Sequence, residues 1–409
     1  MRQSQLFTKT IKEAPKDEAS SNARFLVRAG FIRKEIAGAY DFLPLGLRVL
    51  NKIIGIIREE MNALGGQELF LTSLQDPAVW KKSGRWDDKI LDVWFKTKLK
   101  NESEVGLANT HEEALAFLMR EFINSYRDLP CYIYQFQTKL RNELRAKSGL
   151  MRVREFLMKD LYSFSKDEKE FREFYEKCAR SYIKIFERVG IGEYTFRTFA
   201  SGGSFSKFSD EFQAVSEAGE DIIYIDRKKK IAVNKEVYSE EVLRELGLKK
   251  EELEEKKAIE VGNIFPLGTK YSQVLGLNYK NENGSQIPVT MGSYGIGPGR
   301  LMGTVVEIFH DENGIIWPKS VAPFDIHLVS LGQNAAAGKI YKELEETGKE
   351  VLFDDREDKT AGEKFADCDL IGIPERIVLS ERTLKENSVE IKKRSGKETK
   401  LVKIDQLFK

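Results

Sequence analysis

One stretch restricts the fold of this chain more than any other. From Pro130 to Leu140 the apolar and aromatic run Cys131-Tyr-Ile-Tyr-Gln-Phe136 reads as a strand that delivers Arg141, Asn142 and Glu143. A basic loop around Ser148 and Gly149 follows, and residues 152–164 read as the returning antiparallel partner. Side chains two apart on a strand share a face, so Arg141 and Glu143 are expected to project into one space. A guanidinium fork suits phosphate, and the carboxylate can accept from an adenine amino group or order a magnesium-bound water. By itself such a pair is more often a surface salt bridge. Here Arg145, Lys147, Arg152 and Arg154 line the loop where a polyphosphate would lie, and Phe156 offers a ring to adenine.

A second segment, Met291-Gly-Ser-Tyr-Gly-Ile-Gly-Pro-Gly-Arg300, reads as a strand turning into a helix near Arg300, where a helix N-terminus favours an anion. Its alternate glycines clear space for a ligand or a neighbouring backbone. Neither segment is a P-loop or a dinucleotide fingerprint, so a nucleotide would be held by guanidiniums rather than by a backbone cradle. Thr110, His111, Glu112 and Glu113 open a predicted helix over 111–126, with Thr110 as N-cap and Glu113 as its capping-box partner. That leaves Glu112 free to meet a substrate ammonium. Ser209-Asp-Glu-Phe-Gln213 sets polar side chains beside the glycine-rich turn Ser201-Gly-Gly-Ser204.

Length and composition bound the rest. At 409 residues the chain holds two or three domains, and its 41% hydrophobic content excludes disorder. The 66 basic and 65 acidic residues cancel, so any RNA must be met by local patches. Three cysteines and three histidines, with no CxxC or HxxxH pair, argue against zinc or a disulfide framework and for a reducing cytoplasm. No apolar stretch approaches the ~18 residues of a membrane span. Helices are predicted over 44–64 and 168–189, with a strand at 69–71. Residues 227–257, rich in Lys and Glu, read as a solvated helical excursion. Beyond a boundary at Pro318 to Pro323, strands near 325–330, 351–353, 376–379 and 389–392 alternate with helices at 335–347 and 361–367. That pattern is a small α/β domain with a parallel or mixed sheet.

The chain resembles bacterial-type prolyl-tRNA synthetases, a class II aminoacyl-tRNA synthetase family, nearly end to end. The segments carrying the resemblance are Phe25-Leu-Val-Arg-Ala-Gly-Phe-Ile-Arg-Lys, Ser83-Gly-Arg-Trp, Thr110-His-Glu-Glu and Met151-Arg-Val-Arg-Glu-Phe-Leu-Met-Lys-Asp. Glu260-Val-Gly-Asn-Ile-Phe, Gly268-Thr-Lys-Tyr-Ser and Phe365-Ala-Asp-Cys-Asp-Leu-Ile-Gly-Ile-Pro complete the set. The resemblance implies an α+β fold: an antiparallel-sheet catalytic core over 1–318 and an α/β anticodon-binding domain over 319–409. It implies a homodimer built on the helix near 47–64, with ATP, magnesium, proline and tRNA(Pro) as ligands. By matching position, Thr110 and Glu112 would receive proline's ammonium, with Ser293, Glu211 and Gln213 on the same side. Arg141 would bridge the substrate carboxylate and α-phosphate. Glu143, with magnesium nearby, Arg152, Phe156, Gly297 and Arg300 would meet ATP. Asp355, Arg356 and Lys364 match motifs near the anticodon. Departures include Thr72 where the family commonly has proline, Asp210 for a frequent histidine, and Gly299 for a small hydroxyl residue. The large editing insertion common between the second and third class motifs is missing. Only 227–257 fills that interval, so clearance of mischarged alanyl-tRNA would fall to a separate protein.

The rival readings are a class II synthetase for threonine, glycine, serine or histidine, and a non-catalytic paralogue acting as an RNA-binding or regulatory subunit. Zinc-dependent threonine recognition does not suit so few Cys and His. A dead paralogue typically loses a motif arginine, and Arg141 and Arg300 are both present.

Overall fold

A strand sends consecutive side chains to opposite faces, and the apolar runs of this chain use that rule to build one large two-faced sheet. The computed structural model describes residues 1–14, 18–203 and 205–408; Ser204 of the glycine-rich turn lies outside them. The described chain forms two compact units, one of residues 36–39 and 53–304, the other of 1–35, 40–52 and 305–409.

The larger unit holds a nine-stranded sheet. Its strands are β1 (Gln67–Glu68), β2 (Cys131–Leu140), β3 (Glu155–Ser165), β4 (Thr195–Ser201), β5 (Phe208–Val215), β6 (Asp221–Asp226), β7 (Ile231–Asn234), β8 (Glu254–Gly268) and β9 (Thr290–Ile296). They run in the order β5-β4-β7-β6-β8-β9-β3-β2-β1, and β5 also pairs with β8. All pairings are antiparallel except β4 with β7 and β1 with β2. The predicted hairpin is β2 and β3, in register from Cys131 opposite Phe164 to Leu140 opposite Glu155.

Helices α1 (Pro44–Ala63), α2 (Glu112–Met119), α3 (Glu168–Val189) and α4 (Pro298–Ile308) follow the apolar periodicity. Helix α3 has the predicted bounds. Asp167 caps it by accepting from Glu170 N at 2.8 Å, and Gly190 ends it in the left-handed conformation. Its buried face, Phe171, Phe174, Tyr175, Tyr182 and Phe186, covers one side of the sheet. Phe174 stacks on Tyr132 of β2 at 3.7 Å and meets Tyr294 of β9 edge-on at 5.4 Å; Tyr182 and Phe186 pack on Phe212 of β5. The alternate residues of those strands are thereby turned to the other face. Arg141 follows β2 on that side, joined by Lys139, by Phe156, Asp160 and Tyr162 of β3, by Glu211 and Gln213 of β5, and by Ser293 of β9.

Three local expectations are corrected. Leu69, Phe70 and Leu71 form no strand, because the Leu71 backbone is held by the side chains of Gln135 and Gln137 instead of a ladder. The helix expected over 111–126 is confined to Glu112–Met119, and a capped turn at Ser125 and Asp128 replaces its end. Residues 227–257 are not a solvated helix. Ile231–Asn234 is a strand inside the sheet, the only α-helix is Glu240–Glu245 between two single 3-10 turns, and Val233, Val242, Leu243 and Leu248 bury together. The lysines at 228–230 occupy the turn before that strand, so charge and core alternate over a few residues and mask the apolar pattern.

In the smaller unit β10 (Ile326–Leu331), β11 (Val351–Asp354), β12 (Glu375–Ser380), β13 (Ser388–Lys393) and β14 (Thr399–Lys403) are ordered β11-β10-β12-β13-β14. The first three are parallel and the last two antiparallel, the mixed sheet expected. Helices α5 (Asn334–Glu346) and α6 (Ala361–Ile371) lie within a few residues of prediction. Leu328, Ile340, Leu344, Phe353, Ile377 and Val389 form its core.

Gly292 of β9 tests the two-faced arrangement. A Cβ there would stand 2.6 Å from the Phe171 ring and from the Tyr294 hydroxyl. Gly292→Ala is expected to destabilise the larger unit by about 1–3 kcal/mol through overpacking, read as a lowered urea midpoint.

Candidate active site

The site starts from Glu112, which is 2% exposed at the first residue of α2. Thr110 Oγ1 donates to its carboxylate, and Ser293 Oγ donates to Glu112 Oε1 at 3.2 Å. The Tyr162 hydroxyl lies 3.4 Å from that same oxygen. The predicted capping box does not form: His111 takes the N-cap place without a side-chain bond. Glu113 turns away to accept from Ser83 Oγ at 2.8 Å and from Arg85 Nη1 at 3.0 Å on both oxygens. A buried guanidinium outcompetes a backbone N–H because the carboxylate must be neutralised where water cannot reach it. Arg85 also stands 3.6 Å from Glu112 and packs over Trp80, Phe205 and Tyr271. Burial raises the Glu113 carboxyl to about 7 even though Arg85 opposes that shift.

Behind Glu112 lies a buried network that the sequence did not single out. Lys139, fully buried, sits 2.9 Å from Asp160 Oδ1 and donates to His111 Nδ1 at 2.6 Å. His111 Nε2 donates to the Thr72 carbonyl at 3.1 Å, which fixes the neutral tautomer with Nδ1 bare. Burial and Lys139 together lower the imidazole to about 4. Asp160 Oδ2 accepts from Gln135 Nε2 at 2.9 Å and from the Tyr162 hydroxyl at 3.0 Å. The network therefore reaches Glu112 through Tyr162. The available signal was Lys159 and Asp160 standing in an apolar strand run, where charge needs a reason.

The far end of this face is cationic. Arg141 lies just past the end of β2, so the shared strand face expected for Arg141 and Glu143 does not exist. Arg141 Nε donates to the Asn109 carbonyl at 3.2 Å, and its guanidinium lies over the Phe156 ring at 5.2 Å. Burial lowers its pKa and nearby Arg300 lowers it further, so two guanidiniums converge. Arg300, third residue of α4, is held by Met151 O at 2.9 Å and by Glu260 Oε2 at 3.0 Å. Glu143 instead pairs across the loop with Arg152 at 3.0 Å. A Cβ at Gly297 would make only ordinary contact with Arg300, while one at Gly295 would press on Asn263 at 2.8 Å.

Glu260 is a site residue that pattern reading missed. Between β5 and β8 the register slips: Phe212 opposes Gly262 but Gln213 opposes Glu260. The extra residue, Val261, is a bulge that turns Glu260 to the site face. Glu211 and Gln213 are brought together there, with Gln213 Nε2 donating to Glu211 and to Asp221, each at 2.8 Å. Burial first, and Glu260 second, push the Glu211 carboxyl well above the usual carboxylate range.

In the smaller unit Asp355, Arg356 and Lys364 lie at the carboxyl ends of the parallel strands, the usual place for a binding crevice. A cavity of about 410 Å³ there is lined by Ser330, Asn334, Arg356, Lys359 and Lys364 among others. Arg356 is committed to Asp354 and Asp367, Lys364 to the Ser330 carbonyl, and Asp355 to Arg2. Among the described residues no cluster of His, Cys, Asp and Glu suited to a metal is found, and no helix is long and apolar enough to cross a membrane.

A long antiparallel sheet covered by one helix, with convergent arginines from a hairpin and from a strand-to-helix turn, defines a nucleotide-activating class. Residues 95–309 match the tRNA synthetase class II core domain (G, H, P, S and T), and residues 321–409 match the anticodon binding domain. The fold is that of a class II aminoacyl-tRNA synthetase.

Over 439 residues the chain is 37% identical to a proline–tRNA ligase of Methylobacterium sp. (strain 4-46), covering 100% of this chain and 98% of that one. It is 38% identical over 437 residues to that of Agrobacterium fabrum, covering 99% and 98%. A solved prolyl-tRNA synthetase of Giardia lamblia in complex with prolyl-adenylate shares the fold at a TM-score of 0.77 and 19% identity, over 94% of this chain and 75% of that one. The Cryptosporidium parvum enzyme complexed with halofuginone and AMPPNP does so at 0.78 and 17%, over 95% and 75%. The chain belongs to the proline–tRNA ligase family. It is an ATP-using enzyme with proline and its tRNA as substrates, not a non-catalytic paralogue.

The neutral His111 makes a pH prediction. Its pKa is depressed in the folded state, so the unfolded chain binds the extra proton between its ordinary pKa and about 4. Stability is then complete above that ordinary value and falls as pH drops through the window, by about 3 kcal/mol for this residue. His111→Gln is expected to flatten the acid limb of a plot of melting temperature against pH. Lys139→Met, which strands Asp160, is expected to cost about 3–5 kcal/mol in chemical denaturation.

Proposed function

We propose that proline lies between Glu112 and Arg141, and ATP between Arg141, Arg152 and Arg300. The observation that carries this reading is the charge layout of one face. Around Glu112 the carboxylates of Glu112, Glu113 and Asp160 outnumber Arg85 and Lys139 by one, so a substrate ammonium supplies the missing cation. At the other end the guanidiniums of Arg141 and Arg300 converge with Glu260 paired to Arg300, two cations against one carboxylate, a geometry that a further carboxylate or phosphate anion stabilises. Thr110 and Ser293 orient Glu112, and Glu211 with Gln213 closes the substrate side. Arg152 and Phe156 carry the nucleotide, and Gly297 leaves room beside Arg300. Magnesium takes one or two carboxylates plus phosphate oxygens, and Glu143 on the half-open loop fits that need; the bound ion would neutralise polyphosphate charge.

Proline's carboxylate is ionised at neutral pH and attacks the α-phosphorus without a general base, expelling pyrophosphate. Arg141 draws the two reactants together and, with Arg300, stabilises the charge that develops. The terminal ribose hydroxyl of the tRNA then displaces AMP. Aminoacylation is assigned to residues 1–318 and anticodon reading to 319–409, with Asp355, Arg356 and Lys364 beside the crevice of the smaller unit. A homodimer is proposed from the apolar side chains left in solvent after α1, Phe70 at 76% and Leu74 at 54% exposed. The three cysteines are free thiols, which suits a reducing cytoplasm.

Alanine is smaller than proline and loses only about 1–3 kcal/mol for each missing methylene, so the pocket alone does not exclude it. Residues 227–257 are woven into the sheet rather than forming a domain of their own. An alignment of 439 residues that covers 98% of the Methylobacterium chain leaves no room there for a large insertion either. Editing in cis is therefore not proposed for this chain, and a separate protein would clear alanyl-tRNA(Pro).

Arg141→Ala is expected to lower proline-dependent ATP–pyrophosphate exchange by about 10²–10³-fold; near-normal exchange would refute the role given to it. In wild type, proline should lead the exchange with alanine a weaker second. Purified enzyme should leave pre-formed alanyl-tRNA(Pro) with its spontaneous half-life.

A further inference from the structure

The two-stranded hairpin of Ile32–Ile36 and Ala39–Phe42 contributes none of the residues assigned to the substrates, yet its tip, residues 36–39, is packed against the loop between Glu143 and Arg154. The Gly38 carbonyl accepts from Arg154 N at 2.7 Å and from Glu155 N at 3.3 Å. The Arg154 guanidinium donates through Nη1 to the Ala37 carbonyl and through Nε to the Glu143 carbonyl at 3.0 Å. Arg154 O in turn accepts from Arg141 N at 2.7 Å. One residue thus ties the hairpin tip to both limbs of the loop that presents Arg141, Glu143 and Arg152. Gly38 has φ +82°, and a Cβ there would stand 2.6 Å from Ala146 Cβ and 3.1 Å from Arg154 N. Loop and tip approach so closely at Ala146 and Arg154 that only a residue without a side chain fits between them.

We propose that Gly38 and Arg154 are positioning residues for ATP: the hairpin tip sets the height of the basic loop, and Arg154 transmits that position to Arg141, Glu143 and Arg152. Neither residue touches the reacting atoms. The proposal rests on the assignment of ATP to Arg141, Arg152 and Arg300. A site of this kind is sensitive because misplacing a binding group by about 1 Å costs up to ~100-fold in rate.

The test is ATP–pyrophosphate exchange with the full chain, titrating ATP and proline separately. Gly38→Ala and Arg154→Met are each expected to raise KM for ATP by roughly tenfold or more and KM for proline by clearly less, because Arg141 meets both substrates, Glu143 and Arg152 meet ATP alone, and Glu112 and Thr110 lie outside the loop. The double variant should be little worse than either single one, since both break the same link. Gly38→Asn tolerates the left-handed backbone but keeps a side chain against Ala146, so it should behave like Gly38→Ala if contact with the loop is what matters. Arg154→Met leaves the tip's backbone intact and keeps the test open should the Gly38 variants fold poorly. Folded variants with wild-type KM for ATP would overturn the proposal. So would an equal rise in both KM values accompanied by a lowered melting temperature, which marks a merely structural role. Arg152→Ala run in parallel separates the two assignments: if it too leaves KM for ATP unchanged, the nucleotide site itself is misassigned.

Discussion

Everything on the catalytic face depends on one geometric constraint, that neighbouring side chains of a strand leave the sheet in opposite directions. Lys159 and Asp160 show it most sharply. The first points at α3 and donates to the Tyr182 hydroxyl at 2.6 Å and the Tyr294 carbonyl at 2.9 Å; burial lowers its pKa to about 8. The second points the other way and anchors Lys139, Gln135 and Tyr162. The aromatic side chains of α3 lock one face, and so the other has no freedom of register. A one-residue slip in β3 would exchange Asp160 for Lys159 and reverse the charge behind Glu112.

The charge held on that face is costly, and its arrangement shows how the cost is limited. A buried ion is tolerated when its remaining hydrogen-bonding positions are filled. Asp160 meets a lysine, an amide and a phenol; Glu113 meets an arginine and a hydroxyl. Lys139 spends a donor on a histidine held in its neutral tautomer by the Thr72 carbonyl. Such a network keeps Glu112 in one place while remaining one positive charge short. At the opposite end the convergence of Arg141 and Arg300 is the complementary imbalance. In the proposed site a zwitterionic amino acid whose carboxylate is to meet a phosphate would lie between them, its direction set by the two imbalances.

Much of this was legible in the chain. The hairpin, the cap and stop of α3, the mixed sheet of the smaller unit and the residue types of both ends of the site follow from periodicity and from what arginine and glutamate do. The failures share a cause. Thr110 and Glu113 have the spacing of a capping box, but Arg85, distant in sequence, offers Glu113 a stronger partner. Arg141 and Glu143 have strand spacing, but the strand ends at Leu140 and the loop gives Glu143 to Arg152. Residues 227–257 look solvated because lysines and glutamates outnumber the apolar residues, yet those few lie where the sheet can bury them.

What the sequence determined by itself is local: most of the strands and helices, the cap and stop of α3, and which residue types are suited to phosphate and to an ammonium. Family membership was legible there too, because long motifs carry many residues at once. Tertiary structure alone decided which charges neutralise one another, that the bulge at Val261 turns Glu260 to the face of Glu211, and that Gly38 of the hairpin tip packs against the basic loop. The physical reason is range. Propensity, capping and alternation act over a few residues of chain, whereas desolvation makes a buried charge select the best partner in space, wherever in the sequence it lies.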